Sequence, residues 1–300
     1  MKRSICVFPA ALFAALPLAA KADPLPDSVA AMITAAADSG NAATLQATVD
    51  MAKKTNPGST KEIDALVAQL QASAAARHRA QLETQGFFEG WTGQGQAGFS
   101  NSTGNTRSTA ISLGLALTRD GLDWKHSFNA TVDYQRDNGV EDKDRDFVSW
   151  ESDYKITDRF YALGLLSWEA DRFSGFNSRL SESVGLGYSL IQDPDMTLSV
   201  EAGPALRQTD YVIGESENNF AGRAAAHYQW KILPSLTFNE DVSFYGASND
   251  STFTSDTGLT AALIGALSAR LSYHVQYESN PPDALETTDT LSQVALVYSF

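Results

Sequence analysis

From Gly90 to Phe300 apolar and polar side chains alternate with period two, and few folds accommodate so long an alternation. Ile111, Leu113, Leu115 and Leu117 alternate with Ala110, Ser112, Gly114 and Ala116. Trp124, Phe128, Ala130, Val132 and Tyr134 oppose Lys125, Ser127, Asn129, Thr131 and Asp133. Val184, Leu186, Tyr188 and Leu190 oppose Ser183, Gly185, Gly187 and Ser189, and Leu271, Tyr273, Val275 and Tyr277 oppose Arg270, Ser272, His274 and Gln276. The last segment sets Val294, Leu296, Tyr298 and Phe300 against Gln293, Ala295, Val297 and Ser299. Successive side chains of a strand point to opposite faces, so each segment predicts a strand with one apolar face and one small or polar face. The segment around Tyr161, Leu163 and Leu165 is the exception, because Ala162, Gly164 and Leu166 leave it no polar face.

A soluble sandwich also alternates, and the connections separate the two. Short turns fall near Asp120-Gly121, Thr157-Asp158, Pro194, Pro234 and Gly265. Between them lie longer, polar, mostly acidic stretches near 137–146, 172–177, 209–218, 247–251 and 279–287. The first connection, Ser102-Thr103-Gly104-Asn105, is also short. Tight periplasmic turns opposite longer outer loops characterise outer-membrane barrels. The expectation is an antiparallel up-and-down transmembrane β-barrel of about twelve strands, both ends periplasmic, preceded by a small α-helical region. Trp124 and Tyr134 lie ten residues apart on one apolar face. At ~3.3 Å per residue and a tilt of ~45° that is about 23 Å, close to the height of the apolar band. Trp91, Trp124, Tyr188, Trp230 and Phe300 fall near the turns. Phe99, Tyr134, Trp168, Phe220, Phe244 and Tyr277 fall near the loops, giving the two aromatic girdles of a membrane barrel.

The start of the chain reads as a secretory signal. Lys2 and Arg3 precede an apolar run over 5–20, and Ala20-Lys21-Ala22 offers a cleavage site before Asp23. A retained anchor is the competing reading, against which the run is shorter than the ~20 residues of a span. Cleavage removes Cys6, the one cysteine, and three cations, moving the formal charge from -14 to -17. A chain so acidic is not a nucleic-acid binder, since phosphate backbones need clustered Lys and Arg. No later stretch reaches transmembrane-helix length, so a membrane-spanning form has to be a closed barrel.

Residues 24–86 have helical period. Val29, Met32, Ile33 and Ala36 share one face, Gly40 stops that helix, and Asn41 can cap the next, which carries Leu45, Val49 and Ala52. Asn56-Pro57-Gly58 breaks it, and Ser59 with Glu62 forms a capping-box pattern before Ile63, Leu66, Val67 and Leu70. Residues 23–86 read as a periplasmic spacer or docking region, or alternatively as a plug entering the barrel. The barrel occupies 90–300.

Several ordered motifs carry a family resemblance. Gly98-Phe99-Ser100-Asn101-Ser102-Thr103-Gly104-Asn105-Thr106 resembles the opening hairpin of the salt-induced outer-membrane proteins, a family defined mainly as a domain of unknown function. Asp171-Arg172-Phe173-Ser174-Gly175, Arg179, Gly185-x-Gly187-Tyr188, Glu201-x-Gly203, Arg207, Thr288-Asp289-Thr290 and the aromatic terminus follow in order. The resemblance implies an outer-membrane barrel and brings no activity and no catalytic residues. It covers about 90–300, and nothing carries over to 24–86.

The inward face is expected to carry Lys125, Asp133, Glu151, Asp153, Lys155, Glu169, Asp171, Arg179, Glu201, Arg207, Arg223, Asp241, Asp256 and Arg270. Charges at membrane depth are costly unless they face water or pair, so these residues either brace the barrel as a network or line an aqueous channel. The acidic loops suit cations or lipopolysaccharide, whereas residues 136–146 lack calcium-loop spacing. No metal-ligand cluster, phosphate loop or dinucleotide fingerprint is present, so no cofactor is expected. Ser272 and His274 share the lumen face while Ser127 and His126 oppose each other, which is weak support for a lipid-modifying enzyme. An autotransporter-like translocator is a further alternative, with a short region before Gly90 for a passenger. The reading is a non-enzymatic barrel, a small channel or an envelope-structural, stress-related protein. Its partners are outer-membrane lipid, lipopolysaccharide and, through the last strand, the barrel-assembly machinery.

Overall fold

The computed structural model describes residues 24–102, 108–137, 140–172, 174–248, 250–281 and 286–300. The signal-peptide reading of 1–22, with Cys6, and the first loop's Thr103, Gly104 and Asn105 lie outside them. Among the described residues the chain forms three α-helices and twelve strands, in two units, one ending at Gln81 and the other running Leu82–Phe300.

The first unit holds α1 (Asp27–Asp38), α2 (Ala42–Thr55) and most of α3 (Thr60–Thr84). Gly40 ends α1 with φ of 68°, a left-handed conformation that suits glycine. The Asn41 side chain then accepts the Thr44 N–H and caps α2. Ile33, Val49, Ala52 and Ile63 are buried together, with Leu25, Val29, Leu45, Leu66, Val67 and Leu70 against them. Glu62 accepts the backbone N–H of Leu25 at 2.5 Å, tying the start of this unit to α3. Over 71–81 the helix is exposed on every side, and its alanines sustain it by propensity.

The second unit is a closed antiparallel barrel in which each strand pairs with its sequence neighbours and β1 pairs with β12. Its strands are β1 (Trp91–Ser102), β2 (Ser108–Asp120), β3 (Trp124–Asp137), β4 (Val140–Lys155), β5 (Phe160–Asp171) and β6 (Phe176–Gln192). They continue as β7 (Met196–Tyr211), β8 (Glu217–Leu233), β9 (Leu236–Ala247), β10 (Ser251–Ile264), β11 (Leu267–Glu278) and β12 (Thr288–Ser299). Two hydrogen bonds between Gly93 and Phe300, each 2.9 Å, complete the closure. A closed ring leaves no unpaired strand edge.

Polarity is inverted relative to a soluble domain. Leu113 is 51 % exposed, Leu296 55 % and Val294 68 %, while Ser112, Ser149, Ser181 and Ser183 are buried. Strand β5 resolves its ambiguity by depth. Tyr161, Leu165, Ser167 and Glu169 line the interior and Leu163 is buried, whereas Leu166 and Trp168 are exposed. Leu163 stands opposite Gly185 of β6, a partner without a side chain to compete for space.

One expectation is corrected. The stretch 137–146 is not a long loop: β3 runs to Asp137, β4 starts at Val140, and these two residues pair. The ends of β6, β7, β8 and β10 likewise extend into the acidic connections, while residues 279–287 separate β11 from β12. Ladder hydrogen bonds form wherever two antiparallel backbones face each other, so a polar side-chain pattern does not end a strand.

Candidate functional site

The inward faces of all twelve strands converge on the lumen, and their charged side chains form two tiers. The loop-side tier begins with Arg145, whose Nε lies 2.7 Å from Glu169 Oε1 and whose Nη1 lies 3.8 Å from Asp133 Oδ2. Gln293 donates to the other Asp133 oxygen at 2.8 Å. Arg179 on β6 donates to Glu278 on β11 at 2.6 Å. Gln276 also donates to Glu278 Oε1, and the Thr252 hydroxyl to Oε2. Arg207 on β7 donates in turn to that hydroxyl. Arg179 lies 4.1 Å over the Phe176 ring and Arg207 4.3 Å over that of Tyr245.

These contacts run across the barrel. Strands β7 to β10 stand between Arg179 and Glu278, β8 and β9 between Arg207 and Thr252, and β1 and β2 between Gln293 and Asp133. Arg179 is 5 % exposed and Glu278 7 %. Charges so buried persist only when paired and hydrogen-bonded; the chain pairs Arg179 Nη1 with Glu278 and gives both Glu278 oxygens donors, leaving Arg179 Nε without a hydrogen bond among the described residues.

The turn-side tier centres on Glu201. It accepts from Tyr161 Oη at 3.0 Å and from Arg223 Nη1 at 2.8 Å, with His227 Nε2 at 3.6 Å. His227 Nδ1 meets Asp241 Oδ1 at 2.7 Å, and nearer the loop side, facing Arg145 and Glu169, His274 Nδ1 meets Asp256 Oδ1 at 2.6 Å. A carboxylate only accepts, so both rings carry their proton on Nδ1 in these pairs. Gly187 leaves room for the Tyr161 ring, which occupies the space a Cβ there would need. Lys125 approaches Asp153 at 3.9 Å. Glu151 and Arg270 line the same cavity, whose volume is about 590 Å³ and which touches both tiers.

The fourteen charged residues singled out in the sequence therefore separate. Twelve belong to the two tiers: Asp133, Glu169, Arg179, Arg207 and Asp256 on the loop side, and Lys125, Glu151, Asp153, Glu201, Arg223, Asp241 and Arg270 below them. Lys155 sits at the turn-side rim, bound to Asp120 and to the Gly121 carbonyl. Asp171 is buried at the loop end and accepts the N–H and hydroxyl of Ser174. Sequence reasoning missed Arg145, His227 and Glu278. Arg145 and Glu278 fell in or beside stretches read as loops, and extending the parity of Glu151 and of Gln276 would have found them. His227 shares the parity of Arg223.

The Ser272–His274 pair does not form a relay. His274 uses Nδ1 on Asp256, and its Nε2 has no hydrogen-bond partner among the described residues. No group of three or more His, Cys, Asp or Glu able to hold a metal occurs among the described residues. On the outside, Trp124, Trp168, Tyr188, Trp230, Phe244, Tyr277 and Phe300 are exposed. Trp91 and Tyr134 are half-buried.

Residues 95–300 match the family described as protein of unknown function, DUF481. The chain belongs to that family. The DUF481 match covers the barrel from Gly95 within β1 onward and leaves the helices outside it. A curated relative, the uncharacterized protein YdiY of Escherichia coli (strain K12), is 28 % identical over 204 residues, 68 % of this chain and 81 % of YdiY. Among solved structures, the chain is similar to the NanC porin at 14 % identity and TM-score 0.41, over 70 % of this chain and 97 % of that one. The translocator domain of autotransporter NalP from Neisseria meningitidis is also similar, at 14 % identity and TM-score 0.42, over 80 % of this chain and 98 % of that one.

Proposed function

We propose that this chain is an outer-membrane barrel whose lumen is braced shut on the loop side, with residues 23–86 in the periplasm. The Arg179–Glu278 pair carries the reading, because it joins opposite walls of a barrel whose outer face is apolar. An apolar exterior with a polar interior suits lipid outside and water inside. Bracing, rather than charge selection, fits a loop-side tier in which Arg145 pairs with Glu169 and Arg179 with Glu278. The acidic turn-side tier is then a water-filled chamber beneath the brace. The exposed Phe300, on one stripe with Val294, Leu296 and Tyr298, suits recognition of the last strand by the barrel-assembly machinery. The resemblance to salt-induced outer-membrane proteins makes a stress-related envelope role the companion reading, tested by protein level after a salt upshift.

The deciding measurement is conductance of the refolded full chain in planar bilayers. The wild-type barrel is expected to be nearly silent, and the double variant Arg179→Ala, Glu278→Ala to conduct. A wild-type barrel that conducts freely, with a conductance unchanged in that variant, would overturn the brace. Conductance that appears when residues 24–86 are deleted, with the brace intact, would support the plug reading in its place.

A further inference from the structure

We propose that residues 85–90 form a clasp that lays Phe87 and Phe88 into the lipid surface at the turn side of the barrel. The proposal rests on the membrane reading above. It starts from Arg119, which shares its parity with Ile111, Leu113, Leu115 and Leu117 and so projects from the apolar outer wall. A cation there needs a local reason. Arg119 Nε donates to the Glu89 carbonyl at 3.1 Å, and Nη2 to those of Gly86 and Gln85 at 3.2 and 3.4 Å. The guanidinium also lies 5.9 Å from the Phe87 ring centre.

The rest of the segment is satisfied in the same way. Trp91 Nε1 donates to the Phe87 carbonyl at 2.9 Å, Gly86 N–H to the Glu89 carboxylate at 3.0 Å, and Glu89 N–H to the Gly86 carbonyl at 3.1 Å. Gly90, at φ of 72°, makes the left-handed turn that carries the chain into β1. Non-strand backbone enters a water-poor zone only when its polar groups have partners, and one arginine and one tryptophan supply most of them here.

Phe87 packs on an aromatic floor formed by Trp91, His126 and Trp150, with Trp124 stacked on His126. The polar atoms of that floor have partners too: the Ser152 hydroxyl accepts from Trp150 Nε1 and is hydrogen-bonded with His126 Nδ1, each at 2.9 Å. Yet Phe87 remains 49 % exposed and Phe88 90 %. Their free faces continue the apolar wall through the exposed Trp124 and Tyr154. Aromatic rings of this kind favour the membrane–water interface, and lipid is the occupant that this continuity selects.

Spin labelling tests the clasp. The full chain carrying Cys6→Ser has no other thiol, so Phe88→Cys can be labelled alone and refolded into phosphatidylethanolamine–phosphatidylglycerol vesicles. The label at position 88 is expected to favour collision with oxygen over a water-soluble nickel chelate, several-fold more than a label at Lys54→Cys. Adding Arg119→Ala should move that ratio toward the Lys54 value, while a label at Val294→Cys stays lipid-exposed. A water-like label at 88 with a lipid-exposed label at 294 overturns the clasp and leaves the barrel reading intact. Water-like labels at both positions overturn the membrane reading itself. Dipolar broadening between labels at 88 would overturn the lipid assignment in favour of a second copy of the chain.

Discussion

In the helical unit Ile33, Val49 and Ile63 are buried and the charges lie outside; in the barrel Leu113, Val294 and Leu296 are outside and Arg179, Glu201 and Glu278 are buried. The same residue types occupy opposite places within one chain. The helical unit follows the water rule, in which apolar area leaves solvent. On the membrane reading proposed above, the barrel follows the rule of a chain with lipid around it and water within, so its stability rests on closed backbone pairing and matched charges. The two regions should therefore respond in opposite ways to the same kind of substitution.

The largest effect is expected where the inversion is most complete. Glu278→Ala leaves Arg179 buried without its carboxylate, a loss of about 3–5 kcal/mol. It should lower the temperature at which the folded barrel band disappears on a heat-modifiability gel, and the double variant with Arg179→Ala should recover part of the loss. Next comes Ile63→Ala, which opens a cavity in the helical core and should cost about 2–5 kcal/mol. Melting followed at 222 nm should show the helical transition moving while the barrel band stays.

A charge on the outer wall sharpens the contrast further. Leu113→Arg should destabilise the barrel in bilayers by about 2–4 kcal/mol, the range for a cation at membrane depth, measured by urea titration in vesicles. If that variant is as stable as wild type in lipid, the wall is not lipid-facing. The smallest effect belongs to the rim. Lys155→Ala removes an exposed pair with Asp120 and should cost about 0–1 kcal/mol, below the resolution of the gel.

Much of the barrel was legible because the strand period is local. The stripe Val294, Leu296, Tyr298 and Phe300 announces its exposed face without reference to any other strand, and Asn41 after Gly40 announces a helix start. Strand β5 was illegible for the same reason: Leu163 and Leu166 are equally apolar, and only the small residues of β6 and the closing of the ring decide which faces inward. The acidic stretch 137–146 misled because a polar, acidic composition suits a loop and a solvent-facing strand pair equally well.

The lumen was legible as a list of charges and not as a site. By itself the sequence determined the helical and strand periods, the polarity of each face and the aromatic terminus, all properties of residues within a few positions of one another. The tertiary structure alone decided the pairing. Arg179 and Glu278 are 99 residues apart, and Gln293 and Asp133 160. Their meeting depends on strand register and on closure between β1 and β12, which summed backbone pairing fixes around the whole ring.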